Sequence, residues 1–440
     1  MNPAQSPAPT RVRWRILALL MAICFISHLN RLAMSVAGTE RIIPDLHIAP
    51  KQMGVVYTSF LACYTAGMIL GGWCIDRLGP RVMLLAMGFG SAVFGALSGG
   101  LGYGLIAGAN LLAGLVVVRG LMGVFTTPLH PACARAVSNW FPARQVSSAN
   151  GWVTFAAVLG MASAWPLFGA LMDWLNWPGA FLVAAGALLA LTALLGMFGR
   201  DRVEQHPSAN EAERVLIRGT PSAPSSETFS APASSPPLLS RSLVLLALSY
   251  AAVGYFQYLF FYWIEYYFQN VMHLSTAQSR TNTTLLILAL GVGMPVGGWL
   301  ADRAQRRHPG RLGWALVPGI AMVLSAGFLF LGVAVREPIW IVILFALAMF
   351  ALGASESSFW QAAVELGGHR GGTAAAIINT GGNGIGLLAP LLTPVISAHF
   401  GWQWGIAIGG IVGLLGALCW CGIDPTRATP NSQRTEPVIT

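Results

Sequence analysis

Apolar residues along this chain fall in long runs separated by short, charged gaps. A helix that crosses a bilayer needs roughly 20 such residues. Twelve runs reach that length, at 14–36, 52–75, 82–102, 105–133, 145–172, 179–198, 241–268, 281–301, 312–333, 338–362, 372–397 and 401–422. The pattern predicts an all-α membrane protein with twelve transmembrane helices. The first run carries a charge, lacks a small-residue cleavage site and is too long for the core of a leader peptide, so it reads as a first span.

The pattern also repeats. Gly71-Gly72-Trp73-Cys74-Ile75-Asp76-Arg77 returns half the chain later as Gly297-Gly298-Trp299-Leu300-Ala301-Asp302-Arg303, and each copy ends an apolar run. Trp177 and Trp402 open runs at nearly the same offset. The prediction is two pseudo-symmetric six-helix bundles, residues 1–200 and 241–440. The stretch 201–240, rich in Ser, Pro and Ala, reads as a flexible cytoplasmic linker. Parallel six-helix repeats are an architecture of membrane carriers, with the substrate site between the halves.

Composition agrees. Apolar residues make up 55% of the 440 positions and charged residues 9%, against roughly 25% charged in a soluble domain. The net charge of +9 does not point to nucleic acid, because the charges are spread over the gaps between runs. Of 25 Lys and Arg, two are placed within the spans rather than at their ends, Arg31 and Arg119; Arg41, Lys51, Arg280 and Arg336 lie in the loops of one side, and the other 19 on the opposite side. The basic side is expected to be cytoplasmic, which puts both termini there. The six cysteines, Cys24, Cys63, Cys74, Cys133, Cys419 and Cys421, match no metal framework and read as packing residues. Gly381-Gly382-Asn383-Gly384-Ile385-Gly386 lies within an apolar run and lacks the strand-to-helix context of a phosphate loop. No nucleophile–base set, metal-ligand spacing or nucleotide motif is visible, so the expectation is a non-enzyme without cofactor that is not driven by ATP.

Gly72-x-x-x-Asp76-Arg77-x-Gly79-x-Arg81 resembles the loop signature of the major facilitator superfamily, and Asp302-Arg303 echo it. The resemblance spans about residues 14–422. It implies the major facilitator fold, and it implies that Gly72, Asp76, Arg77, Gly79, Arg81, Asp302 and Arg303 form a conformational latch. The plainer alternative is that these charges only satisfy positive-inside topology. A narrower resemblance is to the anion:cation symporter family, which includes galactonate and hexuronate carriers, sialin and vesicular glutamate carriers. His28-Leu29-Asn30-Arg31 resembles that family's first-helix Tyr-x-Asp-Arg. Arg119-x-x-x-Gly123 with Pro131 and Trp140-Phe141-Pro142, then Phe359-Trp360, then Asn379-x-x-x-Asn383-Gly384, complete the match.

An arginine inside a span costs about 2.5–3.5 kcal/mol on insertion scales and needs a partner or a polar cavity. The resemblance puts Arg31 and Arg119 on cavity-lining helices, where two guanidinium groups suit a carboxylate. The plainer reading pairs each with a helix carbonyl or a fixed acid. Two departures matter: the family's proton-carrying acids are Asn30 and Thr126 here, and neither titrates. His28 lies one turn before Arg31 and His130 one turn after Thr126, so both are coupling candidates, although a nearby arginine counts against a second positive charge. Glu356 is the better acid, since a carboxylate in a span is protonated or paired, with Arg31 or Arg119 as possible partners. Glu265 is a further candidate. It shares a face with Tyr255, Tyr258 and Tyr262 and lies toward the outer end, where solvation would explain it. Trp263-x-Glu265-x-Tyr267 replaces the family's Trp-x-Pro-x-Tyr. Tyr64, Tyr258, Ser357, Trp360 and Asn379 complete the candidate substrate contacts, with helix packing as the plainer reading of each aromatic.

The expectation is a monomeric secondary transporter in a bacterial inner membrane, moving a small organic anion by alternating access, with protons as a candidate coupling ion. Its partners are the anion, protons and the lipid bilayer, and not nucleic acid. Facilitated diffusion or anion exchange, export of a neutral solute or drug, and a transport-like sensor stay open as alternatives.

Overall fold

A computed structural model describes residues 8–105, 111–218 and 240–425. Its chain divides into two compact units, Met1–Ser230 and Ala231–Thr440. The first holds α1 (Val12–Ala37), α2 (Pro50–Leu78), α3 (Pro80–Gly102), α4 (Leu111–Trp140), α5 (Ala143–Ser163) and α6 (Gly169–Phe198). The second holds α7 (Arg241–Tyr266), α8 (Thr276–Arg307), α9 (Arg311–Ala334), α10 (Pro338–Gly367), α11 (Thr373–Phe400) and α12 (Trp402–Trp420).

Among the described residues, ten helical segments are long and apolar enough to cross a membrane. One of them, Ser148–Phe198, runs for 51 residues, long enough for two crossings. It turns at Asn176, which sits at φ 59°, with Pro178 just beyond. Asparagine takes a positive φ more readily than most residues other than glycine, and the helical geometry breaks there. The 29-residue α2 supplies a twelfth crossing, the number that the run pattern predicts.

Helix boundaries follow local chemistry. Ser240 accepts from the Leu243 amide at the start of α7. Ser275 and Gln278 satisfy each other's amides at the start of α8, a capping box. Gly79 (φ 82°) turns the chain from α2 to α3 and Gly310 (φ 96°) turns it from α8 to α9, at corresponding places in the two repeats.

The sequence repeat becomes a packing repeat. In the first unit α1 packs on α5, α2 on α4 and α3 on α6; in the second α7 packs on α11, α8 on α10 and α9 on α12. Glycine makes the closest approaches possible. A side chain at Gly123 of α4 would overlap the Phe60 carbonyl of α2, and one at Gly297 of α8 would overlap the Ala354 backbone of α10.

Both copies of the signature also behave alike. Arg77 stacks on Trp73 at 4.0 Å and Arg303 on Trp299 at 5.8 Å, each one turn apart. Arg81 donates to the Gly196 carbonyl near the end of α6 at 2.6 Å, and Arg311 donates to the Ile423 carbonyl just past α12 at 3.2 Å. Asp201 accepts from the Arg81 amide at 2.9 Å, capping α3. Gly72 and the Asp76 side chain lie outside the described residues. Asp302 is exposed.

The linker departs from expectation in its first half. Residues Glu211–Arg218 form a helix, preceded by a single turn at Val203–Gln205. Glu213 is fully buried and accepts from the Val12 and Arg13 amides and the Arg13 guanidinium, at 3.1–3.2 Å, and from the Thr10 hydroxyl. Its carboxylate sits at the positive end of α1, where a helix has unsatisfied amides. This stretch is therefore docked on α1 rather than flexible. Residues 219–239 lie outside the described residues.

Candidate anion and coupling sites

In the first unit, α1, α2 and α4 bring the two in-membrane arginines together. Arg119 is 1% exposed. Its Nη2 donates to the Arg31 carbonyl at 2.9 Å and its Nη1 to the Asn30 carbonyl at 3.4 Å. The plainer reading of Arg119 as a carbonyl partner thus holds for these contacts. The same contacts also fix its guanidinium beside Arg31. Phe60 of α2 lies under both cations, 5.6 Å from Arg31 and 5.0 Å from Arg119. Tyr64, one turn along, stacks parallel to Phe60 and lies 5.1 Å from Arg31. Both cations thus lie on aromatic faces, and Arg119 also on main-chain oxygens, and paired guanidinium groups are the chemistry that recognises a carboxylate or sulfonate. Tyr64 was legible in the sequence and Phe60 was not.

The positions that carry the resembled family's acids are filled by neutral groups. Asn30 donates from Nδ2 to the Ala184 carbonyl of α6 at 3.4 Å, and its buried Oδ1 has no partner among the described residues. Thr126 donates to the Met122 carbonyl at 2.7 Å and lies 3.1 Å from the Ser91 hydroxyl of α3.

The histidines meet. His28 Nε2 and His130 Nε2 are 3.1 Å apart, and His28 Nδ1 is 2.8 Å from the Cys24 carbonyl. A carbonyl only accepts, so Nδ1 of His28 carries a proton and its Nε2 offers a lone pair. His130 Nε2 then donates into it, and the neutral pair holds one proton between the two rings. His28 is buried and His130 is exposed, so the pair has an open side. Cys24 lies close by, and with the histidines it offers three metal-ligating atoms within 4.8 Å of one another. The sequence spacing showed no such cluster; the fold assembles it. Arg31, three residues from His28, adds positive charge and disfavours a resident cation there.

In the second unit, Glu356 of α10 accepts from the Tyr250 hydroxyl at 2.5 Å and from Gln257 Nε2 at 3.2 Å, both on α7. Its partners therefore come from its own bundle, where the sequence suggested Arg31 or Arg119. Trp360 packs edge-on to Tyr250 at 5.8 Å. Tyr258 donates to Asn383 Oδ1 at 2.5 Å, and Asn383 Nδ2 donates to Asn379 Oδ1 at 3.0 Å, a chain of polar groups from α7 to α11. Ser357 points elsewhere, toward Gly298 of α8, and is not gathered with them. Glu265 is 1% exposed, and Gln269 donates to it at 3.5 Å. That burial rules out the plainer alternative, a solvated outer-end acid. Tyr250, Gln257 and Asn383 join the polar set without having been singled out as site residues, because their role needs a partner on another helix.

Comparison with known proteins places the chain. The sequence profile of the Major Facilitator Superfamily matches residues 20–390. A probable sulfoacetate transporter of Cupriavidus necator is 27% identical, with 97% of each chain covered. A D-galactonate transporter of Escherichia coli is also 27% identical, over 95% of this chain and 97% of that protein. Among solved structures, a bacterial homologue of the human lysosomal transporter Spinster superposes with a TM-score of 0.75 at 15% identity, covering 97% of this chain and 99% of that one. The xylose transporter XylE of Escherichia coli superposes with a TM-score of 0.70, covering 93% and 96%. At that identity the structures establish the fold. The chain belongs to the Major Facilitator Superfamily and is a multi-pass membrane transporter.

Proposed function

We propose that the protein carries a small organic anion, a sugar acid or another compact carboxylate or sulfonate, across a bacterial inner membrane by alternating access. The observation that carries this reading is the Arg31–Arg119 pair seated on Phe60 and Tyr64. The names of the similar carriers, for sulfoacetate and D-galactonate, describe ligands that combine an anionic head with polar carbon chains. Arg31 and Arg119 take the anionic head. Tyr258, Asn379 and Trp360 are the groups assigned to the hydroxyls and carbon chain. The Arg–Trp stacks at Trp73 and Trp299 serve the latch, and both termini are assigned to the cytoplasm by the basic loops.

The coupling proton, in this reading, resides on the His28–His130 pair. Asn30 and Thr126 cannot carry it, and Glu356 is committed to Tyr250 and Gln257 as a tie between α7 and α10. An extra proton would turn both Nε2 atoms into donors facing each other and part the rings. An anion at Arg31 supplies the countercharge for that state, so the two ligands favour each other. The test uses proteoliposomes with a weakly buffered lumen. Substrate entry should acidify the lumen in the wild type. His130→Gln should retain exchange of substrate across the membrane but lose net uptake against a gradient. Unchanged proton movement in both His28→Gln and His130→Gln would exclude the pair and leave an exchanger or a different acid.

A further inference from the structure

The third and sixth helices of each half meet beside an arginine, but the space there differs. In the first unit, Arg81 borders a cleft of about 10 Å³ that α1 and α4 also line, through Ile16, Leu20, Ala136 and Trp140. In the second unit, the space beside Arg311 is an open groove of about 470 Å³ between α9 and α12. Its cause is local. Ala315 and Gly319, one turn apart on α9, face Ala417 of α12 and Cys421, which caps its C-terminal end. These small side chains leave the junction concave, and Gly319 has no atom nearer than Trp420 Cβ, at 4.0 Å from where a side chain would begin.

The flanks of the groove are large and apolar. Leu312, Ile320, Val323 and Leu324 on α9 and Leu414, Leu415 and Leu418 on α12 are all exposed, as expected of surfaces that face acyl chains. One end differs. Arg311 lines it, with its Nε fixed on the Ile423 carbonyl at 3.2 Å, and the exposed Arg306 and Arg307 end α8 a few residues earlier. Trp420 forms part of the wall. It is 1% exposed, and its indole N–H has no acceptor among the described residues.

We propose that this groove is a binding site for an anionic phospholipid, with one acyl chain between α9 and α12 and the phosphate at Arg311. Basic pockets between helices on the cytoplasmic side suit anionic headgroups, and the volume falls in the range of ligand sites. Charge selects this occupant over the chain's own C-terminal segment. Residues 426–440 carry Arg427 and Arg434 against Glu436, so they would bring like charge to Arg311.

Native mass spectrometry of the purified full-length carrier tests it, with phosphatidylglycerol and phosphatidylcholine of matched chains as probes. Phosphatidylglycerol should be retained at least fivefold better. Arg311→Gln should remove that preference and Arg311→Lys should restore part of it. Gly319→Leu, on the lipid-facing side, should fill the groove and lower retention of phosphatidylglycerol. The melting temperature without added lipid checks that each variant is folded. Equal retention of the two lipids overturns the proposal, as does a preference that survives both Arg311→Gln and Gly319→Leu. So does a preference that appears only after residues 426–440 are deleted, since the segment would then be the occupant.

Discussion

At the scale of single residues, the chain answers the cost of charge in a membrane in three different ways. Arg119 is satisfied by main-chain oxygens of α1, Arg31 lies on aromatic faces, and Glu356 accepts from a tyrosine and a glutamine. The arginines were legible in the sequence because a charge within an apolar run stands out. Phe60 was not, because an aromatic in a membrane helix looks like packing until the cation above it is seen. The assignment of Glu356 to structure has a consequence. Glu356→Gln keeps an acceptor for Tyr250 and should preserve proton-linked uptake, whereas Tyr250→Phe should lower stability by about 1–3 kcal/mol, the usual cost of an unmet buried polar group. Thermal unfolding and uptake assays on the two variants separate these effects. Loss of proton movement in Glu356→Gln with binding intact would return the coupling role to this acid.

At the scale of elements, the helices themselves were readable from run length, and the break at Asn176 (φ 59°) falls in the gap between the runs 145–172 and 179–198. One feature was not readable. The linker helix was hidden by the Ser, Pro and Ala that follow it. Its signal was present nonetheless: Asn210 Oδ1 accepts from the Glu213 amide at 2.9 Å, the pairing of a cap with the third helical residue. Glu213→Ala would strand Arg13 and uncap α1. Breaking a buried pair costs about 3–5 kcal/mol, so the variant should unfold at a lower temperature, while Glu213→Gln should recover part of the loss. Acid should loosen the same stretch. His206 is held below its ordinary range by burial, and secondarily by Arg200, and its Nδ1 accepts from the Ser208 amide at 3.2 Å. Its neutral form stabilises the docked linker above the unfolded value near 6.5, and that contribution is lost as pH falls through the lower folded value. Hydrogen exchange in residues 203–218, corrected for intrinsic rate, should therefore quicken on moving from pH 7.5 to pH 5. Uniform protection across that range would contradict it.

At the scale of the whole molecule, a repeat seen first as a heptapeptide is a repeat of packing, turns and arginine anchors. Its close contacts depend on glycine, so Gly297→Val, which drives a branched side chain into the Ala354 backbone, should destabilise the second unit by several kcal/mol or prevent folding. What the repeat does not fix is chemistry, which sits unequally in the halves: the cations and histidine pair in the first, the tyrosine–asparagine chain and Glu356 in the second. The central claim is that an anion binds at Arg31 and Arg119. Its most direct test is ligand-induced thermal stabilisation of the purified protein against matched panels of carboxylates, sulfonates, neutral sugars and cations. A ligand at 100 times its Kd adds about 2.7 kcal/mol to stability. The account predicts stabilisation by one or more organic anions only, with affinity reduced at least tenfold in Arg31→Gln and in Arg119→Lys, a loss of about 1.4 kcal/mol. Stabilisation confined to neutral or cationic compounds, or by anions with undiminished affinity in both variants, would contradict it.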